Sequence, residues 1–367
     1  MSKVMLIAND TTYVYNLRYE IIERLIREGY EVDAVCERQL HADKIKESGA
    51  ALLPMAIKRH SKNPLTDLSM ICMFRKIIKK HRPDVVLTYN IKPNIYAGLV
   101  CGGLHIPYIT NITGLGTAVE YPGLIQKVTV LLYKTALRKA ACVFFQNREN
   151  QEFFVKKNIR IKRSRLIPGS GVNLEKYCVL EYPDTEDVHF IFAARILKEK
   201  GIDQYLEAAK EIRGKYDNVY FHVIGGCDDK EYVEVLHNEN ESGTIIYHGL
   251  QKDMLEYQKM SSCMVLPSYY PEGMNNVLLE SAASGRPIIT TSRSGCGEIV
   301  EDGVTGFIVK ERNMGDLVRK IEKFLAMPWE ERKRMGLAGR RKVEREFDRE
   351  IVVQAYMDEI GRMDYKP

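Results

Sequence analysis

The residues best equipped for chemistry stand together in Glu272-Gly-Met-Asn-Asn-Val-Leu-Leu-Glu280. Two carboxylates lie eight positions apart, after an apolar run (264–267) and a turn (268–271), and lead into an apolar stretch that reads as helix. Eight positions is just over two helical turns, if the helix reaches both. Residues 273–276 would open that helix with free backbone N–H groups. Unpaired amides and the helix dipole together favour a phosphate there. Gly273 lets a ligand approach the backbone closely, and Glu280 is spaced to accept hydrogen bonds from a vicinal diol such as ribose. An ordinary helix start, with Glu272 as dipole partner, fits the pattern equally well. A second piece is Arg195-Ile-Leu-Lys-Glu-Lys200-Gly201, directly after the apolar run 189–194. Two cations five positions apart, across a loop at a strand's carboxyl end, can clamp a diphosphate. A solvated charged turn is the alternative, above all for Lys198 and Glu199.

Such residues need a frame, and 367 residues suffice for two domains. Short apolar runs rich in β-branched residues occur at 4–8, 31–36, 51–55, 84–89, 108–112 and 142–146, with helical patterns between them. Continuous apolarity predicts strands covered on both faces, hence parallel. The pattern restarts at 189–194, 219–224, 245–247, 263–267, 287–291 and 306–309. The reading is α/β: two Rossmann-like doubly wound domains facing a central cleft, with ligands at the carboxyl ends of the strands. Residues 1–165 form the first domain, 166–187 a Pro-, Gly- and acid-containing linker, and 188–347 the second. The tail, about 348–367, reads as a helix free to pack back on the first domain.

Charge divides unevenly. Residues 1–178 carry 28 basic and 15 acidic side chains; the rest carry 26 and 34. A basic half next to an acidic half implies that the first meets something anionic. Basic clusters lie at 58–62 and 75–82, and residues 124–139 interleave apolar and basic positions at helical spacing, a pattern that can lie on an anionic bilayer. A helix with one face on the sheet and one in water is the plain alternative. No segment reaches about 18 apolar residues, and the run after Met1 is too short for a signal peptide. The eight cysteines are scattered without a C-x-x-C pair, as in a reducing cytoplasm. No His/Cys cluster at ligand spacing predicts a metal, and no zinc finger or RNP-like element predicts nucleic acid. Residues 4–12 lack G-x-G-x-x-G, which disfavours a nicotinamide dehydrogenase.

Taken as a set, Arg195-x4-Lys200-Gly201, His248-Gly-Leu250, Glu272-x7-Glu280, Ser284-Gly-Arg-Pro287 and Glu298-Ile-Val-Glu-Asp-Gly-Val-Thr-Gly-Phe307 resemble the retaining GT-B glycosyltransferases of family four, the group 1 glycosyltransferases. Tyr89-Asn-Ile-Lys-Pro-Asn-Ile-Tyr96 and Thr113-Gly-Leu-Gly-Thr117 are similar to a branch that extends polyprenyl-diphosphate-linked glycans. The resemblance implies roles. Arg195 and Lys200 would bind the donor diphosphate, and Glu272 would position the donor sugar, the three forming the catalytic set. Gly273, Met274, Asn275, Asn276 and Val277 would hold sugar hydroxyls and phosphate, Glu280 the ribose, and His248, Gly249 and Leu250 would border the base. No metal or other cofactor is implied, and the chain has no D-x-D triplet.

Two departures from the family pattern concern the acceptor. The segment 9–18 lacks the Gly-Gly of many relatives and reads as a loop forming an acceptor wall, with Asn16 pointing inward. Asn111 and Thr113 stand near the place where many relatives carry a histidine; with Asn90 and Lys92 they complete the acceptor side. The expected partners are a nucleotide sugar, a lipid-diphosphate-linked saccharide and an anionic membrane surface, with no nucleic acid. The expected place is the cytoplasmic face of the cell membrane. The competing readings are a nucleotide-sugar 2-epimerase of the same fold and a non-catalytic sugar-nucleotide-binding protein.

Overall fold

The computed structural model describes residues 2–57, 63–116, 119 and 122–364. The basic cluster 58–62 and Thr117 lie outside these residues. Described residues up to Gly171, together with those from Arg349 onward, form one compact unit, and Val172–Asp348 form the other. By sequence, 1–171 with 349–367 carry 30 basic and 18 acidic residues and 172–348 carry 24 and 31, so the charge contrast follows the two units.

The first unit runs β1 (Lys3–Asp10), α1 (Thr11–Arg27), β2 (Glu31–Glu37), α2 (Ala42–Glu47), β3 (Ala51–Pro54), α3 (Pro64–His81), β4 (Val85–Tyr89), α4 (Ile91–Leu104), β5 (Tyr108–Ile112), α5 (Leu124–Ala136), β6 (Cys142–Phe145), α6 (Arg148–Lys156) and β7 (Ser164–Leu166). Its sheet is wholly parallel, in the order β3-β2-β1-β4-β5-β6-β7. The inner strands are mainly apolar because both their faces are buried, and Met5, Leu6 and Ile7 of β1 are fully buried, whereas the edge strands β3 and β7 are partly exposed. Two features differ from the sequence reading. Residues 9–18 are not a loop: Asp10 accepts the Tyr13 N–H at 2.8 Å and caps α1, which starts at Thr11. β7 falls inside the expected first-domain end and linker; Ser-Arg-Leu carries no apolar run to betray it.

The second unit runs β8 (Val188–Ala193), a 3-10 turn (Lys198–Lys200), α7 (Ile202–Arg213), β9 (Val219–Ile224), α8 (Lys230–Glu241), β10 (Ile246–Tyr247), α9 (Leu255–Met260), β11 (Cys263–Leu266), α10 (Asn276–Ala283), β12 (Ile288–Thr291), β13 (Gly306–Val309), α11 (Met314–Leu325) and α12 (Trp329–Glu346). Its parallel sheet has the order β10-β9-β8-β11-β12-β13. In both units the strand order reverses direction beside the first strand, at β1/β4 and at β8/β11. The crevice outside the carboxyl ends at such a switch point is where open α/β sheets bind ligands.

The last helix, α13 (Arg349–Asp364), belongs to the first unit. Tyr356 is fully buried against Phe144, and its hydroxyl accepts a hydrogen bond from Asn111 Nδ2 at 2.8 Å. Arg163 pairs bidentately with Glu359 at 2.8 and 2.9 Å, and Arg165 reaches Glu359 and Asp358. Burial pushes the Glu359 carboxyl up, but the bonds from Arg163 and Arg165 outweigh it and hold the group below the usual carboxylate range. A carboxylate depressed in this way adds stability above its unfolded value of about 4.3, and that stability is lost as pH falls through the folded value. Glu359→Gln is expected to lower stability by about 1–2 kcal/mol at pH 7, discounted because Arg163 is partly solvated. Melting curves should show the gap narrowing as pH falls below the unfolded value and closing as it passes through the lower folded one.

Candidate functional site

The site is built at the β8/β11 switch point of the second unit. After β8 the chain turns through the 3-10 element to Gly201, which has φ 82°. A Cβ on Gly201 would stand 2.3 Å from the Pro267 carbonyl oxygen, so only glycine lets this turn lie against the end of β11. Backbone bonds complete the join: the Tyr269 N–H donates to Glu199 O at 2.8 Å. Lys200 is thereby delivered to the loop after β11. Its Nζ is ion-paired with Glu272 Oε1 and lies 4.7 Å from the Tyr270 ring centroid, and the residue is 7% exposed. A cation and a carboxylate 72 positions apart in sequence thus form one nearly dry pair.

The loop carrying Glu272 is held from beneath. Asn275 donates from Nδ2 to Glu272 Oε1 at 3.3 Å, while its Oδ1 accepts the Leu278 N–H at 3.2 Å and caps α10. The Asn275 N–H donates to Gly295 O at 2.8 Å. Gly295 is in turn fixed by Glu298, whose carboxylate accepts the Gly295 N–H at 2.7 Å and the Ser294 hydroxyl at 2.9 Å. This arrangement corrects the reading of 273–276 as a run of free amides. The helix starts at Asn276, Glu272 precedes it, and the Asn275 N–H is engaged internally. Within 274–277 the amides of Met274, Asn276 and Val277 meet no acceptor among the described residues; the last two are the first of α10, where helical geometry leaves N–H groups open.

Elsewhere at this carboxyl edge, Ala194 N–H bonds Ile224 O and Ile196 N–H bonds Gly226 O, each at 3.0 Å, while Gly225 N–H bonds Gly249 O at 2.8 Å. Arg195 and the His248-Gly249-Leu250 turn therefore share one edge. Arg195 is exposed and makes no ion pair or hydrogen bond among the described residues; Leu250 is 77% exposed. His248 Nε2 bonds His222 Nδ1, and His222 Nε2 bonds His189 Nδ1, each at 2.9 Å. Burial, with His189 and His248 on either side, pushes His222 down to about 3, so the middle imidazole is neutral. Glu280 is half-buried one turn after Asn276, and Gly273 and Met274 are buried.

The acceptor-side residues all lie in the first unit. Asn16 is exposed on α1. Asn90, at φ 70°, accepts the Asn9 N–H at 3.2 Å. Lys92 pairs with Asp67 at 2.9 Å. Asn111 is fully buried and bonded to Tyr356, and Thr113 is half-buried after β5. Three of the five side chains are thus committed to internal partners. Gly295, which supports the Glu272 loop, and Tyr270, under Lys200, were not singled out in the sequence, and Glu298 entered only as the first residue of a family motif, without a role. Among the described residues no group of three or more His, Cys, Asp or Glu side chains could hold a metal ion.

Two doubly wound parallel sheets, each with its own switch point, are the architecture of the GT-B fold. Residues 181–342 match the family described as glycosyl transferases group 1, and residues 3–147 match glycosyl transferase 4-like; the two matches together span most of the chain, which is a glycosyltransferase. It is 27% identical over 365 residues to the N,N'-diacetylbacillosaminyl-diphospho-undecaprenol alpha-1,3-N-acetylgalactosaminyltransferase of Campylobacter jejuni, covering 94% of each chain. It is 32% identical to the Staphylococcus aureus capsular polysaccharide biosynthesis glycosyltransferase CapM over half of each chain. Among solved structures, Anabaena HepE in complex with UDP and glucose superposes with a TM-score of 0.81 at 15% identity, covering 99% of this chain and 100% of that one. A glycosyltransferase from Rickettsia africae gives 0.81 at 16%, covering 100% and 99%.

Proposed function

We propose that this glycosyltransferase moves a hexose or N-acetylhexosamine from a UDP-sugar, with retention of configuration, to a saccharide carried on a polyprenyl diphosphate. The observation that carries the donor half is the Lys200–Glu272 pair beside the open Asn276 and Val277 amides at a switch point. The acceptor half rests on the named activity of the Campylobacter relative and the UDP on the Anabaena complex. Lys200 swings from Glu272 to the donor diphosphate, and Arg195 closes on it from solvent. Both stabilise the negative charge that grows on the leaving nucleoside diphosphate. Released from Lys200, Glu272 accepts from the donor sugar's hydroxyls, Glu280 takes the ribose, and the His248–Leu250 turn borders the base. The acceptor hydroxyl attacks from the face that the diphosphate leaves, giving its proton to the departing phosphate oxygen. Two protein cations and helix amides do the work of a divalent metal, so transfer should survive a chelator. The test is melting temperature with UDP, GDP and their sugar conjugates, since a ligand of the folded state raises it. A rise with UDP of about 2.7 kcal/mol equivalent at a hundredfold excess over Kd supports the reading; no rise with any nucleotide overturns it.

The same reading places the enzyme on the inner face of the cell membrane. No helix among the described residues is long and apolar enough to cross a bilayer. α5, however, exposes Leu124, Ile125, Val128 and Leu131, at 49–78% exposure, interleaved with exposed Lys127 and Lys134 and followed by exposed Arg138. α3 exposes Leu65, Leu68 and Met73 followed by Arg75, Lys76, Lys79 and Lys80. Apolar anchors with cations at about 1 kcal/mol each suit an acidic leaflet. Flotation with liposomes should recover the protein only when acidic lipid is present, and Leu131→Glu should cut recovery severalfold. Equal recovery on neutral vesicles would contradict the placement.

A further inference from the structure

Three arginines are at least nine-tenths buried, and they are satisfied in different ways. Arg286 meets four backbone carbonyls, from Gln258, Leu180, Glu181 and Lys259. Arg349 meets the Glu20 carboxylate and the carbonyls of Asn16 and Gly171. Arg18, on α1, is 0% exposed and has no carboxylate among the described residues. Its Nη1 donates to Leu17 O at 2.6 Å and its Nη2 to the Tyr13 hydroxyl at 2.9 Å; its Nε has no partner. The acids near it in sequence are spent, since Glu20 is held by Arg349 and Asp10 caps α1 through the Tyr13 N–H. What surrounds the guanidinium is aromatic: its carbon lies 4.7 Å from the Tyr89 ring centroid and 5.4 Å from that of Tyr13, with Tyr356 tilted against Tyr89.

Attraction to ring faces returns only part of what it costs to dry a cation, and an unpaired buried charge is a liability that apolar residues would avoid. The position explains its retention. Tyr13 follows β1 and Tyr89 ends β4, so Arg18 lies under the β1/β4 switch point, where an open α/β sheet binds its ligand. Tyr13, half-buried on the first turn of α1, covers it. The geometry points to a second anion site, in which Arg18 receives the diphosphate of the lipid-linked acceptor as Tyr13 gives up its hydrogen bond. The identity of that ligand rests on the acceptor proposed above; the need for an anion rests on Arg18 alone.

The test is the melting temperature of the full chain saturated with UDP, to which inorganic pyrophosphate or farnesyl diphosphate is then added. Each diphosphate should raise it further. Arg18→Met should keep the UDP shift, lose the second shift, and by itself melt no lower than the parent, because an unpaired cation has been replaced by an apolar chain of similar reach. Tyr13→Phe should enlarge the second shift, since the ligand no longer displaces a hydroxyl. The site is overturned if neither diphosphate adds a shift, if Arg18→Met retains it, or if Tyr13→Phe leaves it unchanged or smaller. A shift with pyrophosphate alone would overturn the lipid-linked identity. Second shifts in the absence of any UDP shift would separate failure of the donor reading from failure of this one.

Discussion

Lys200→Ala should slow transfer by about two to three orders of magnitude, the usual loss when one preorganised group facing a developing negative charge is removed. Lys200 is held by neighbours rather than floating in solvent. It is 7% exposed, ion-paired to Glu272, and seated over Tyr270, with Gly201 forcing the turn against Pro267. A cation placed this way needs little reorganisation to exchange Glu272 for a diphosphate. Loss of Lys200 also leaves the Glu272 carboxylate partly buried with Asn275 Nδ2 as a remaining donor, so the variant loses stability as well as charge complementarity. Arg at this position should recover little, because a planar fork does not fit a site shaped around a compact ammonium. Steady-state kinetics should place the loss mainly in kcat, since the interaction strengthens as the leaving group departs. A kcat within tenfold of the parent, in a variant whose melting curve is intact, would remove Lys200 from the mechanism.

Arg195 provides a contrast. It shares the carboxyl edge with Lys200 but is exposed and makes no ion pair or hydrogen bond among the described residues. Arg195 must therefore give up side-chain freedom on binding, whereas Lys200 has already done so. The difference could not be read from spacing, which made the two cations equivalent members of one clamp.

Much of the frame was legible because burial on both faces forces apolar runs. β5, β9 and β13 begin and end where the sequence reading put them, since their mainly apolar runs are buried even where Thr110, Asn111 or His222 interrupts them. What escaped was what side chains do to backbone. β7 is Ser164-Arg165-Leu166, and its arginine is answered by Glu359, 194 positions on, beyond any local pattern. Residues 273–275 do not open α10 with free amides, because the Asn275 side chain caps the helix and the Asn275 N–H is spent on Gly295 O. Glu272 and Lys200 were identified by a family motif, because their pairing spans 72 positions. Arg18 gave no signal at all: it closed a segment read as an acceptor loop, and its burial depends on Tyr89 and on Tyr356 from the far end of the chain. The first half's basic balance did point to an anion, but it could not say which cation was buried.

The second large effect is expected at Gly295, which touches no substrate in the mechanism proposed. Gly295 adopts φ 87°, and a Cβ there would lie 2.7 Å from Glu272 Cβ and 3.0 Å from Gly273 O. The first is a rigid stem rather than a mobile side-chain tip, so one or other backbone must yield. The yielding side is the Glu272 loop, because Glu298 clamps residues 294–295 through two hydrogen bonds. Gly295→Ala should therefore displace Glu272 from Lys200, and a shift of about 1 Å in a positioning group can cost about a hundredfold. A left-handed backbone on alanine adds a cost of about 1–2 kcal/mol on its own. Gly243→Ala, between α8 and β10 and given no part in the site, separates the two contributions: it has φ 76° with nothing within 4 Å of its Cβ, so it carries the strain without the collision. The pair should melt within a few degrees of each other, while only Gly295→Ala loses turnover by about two orders of magnitude. Equal activity in the two variants would mean that the Glu272 loop is not held where Gly295 leaves room for it.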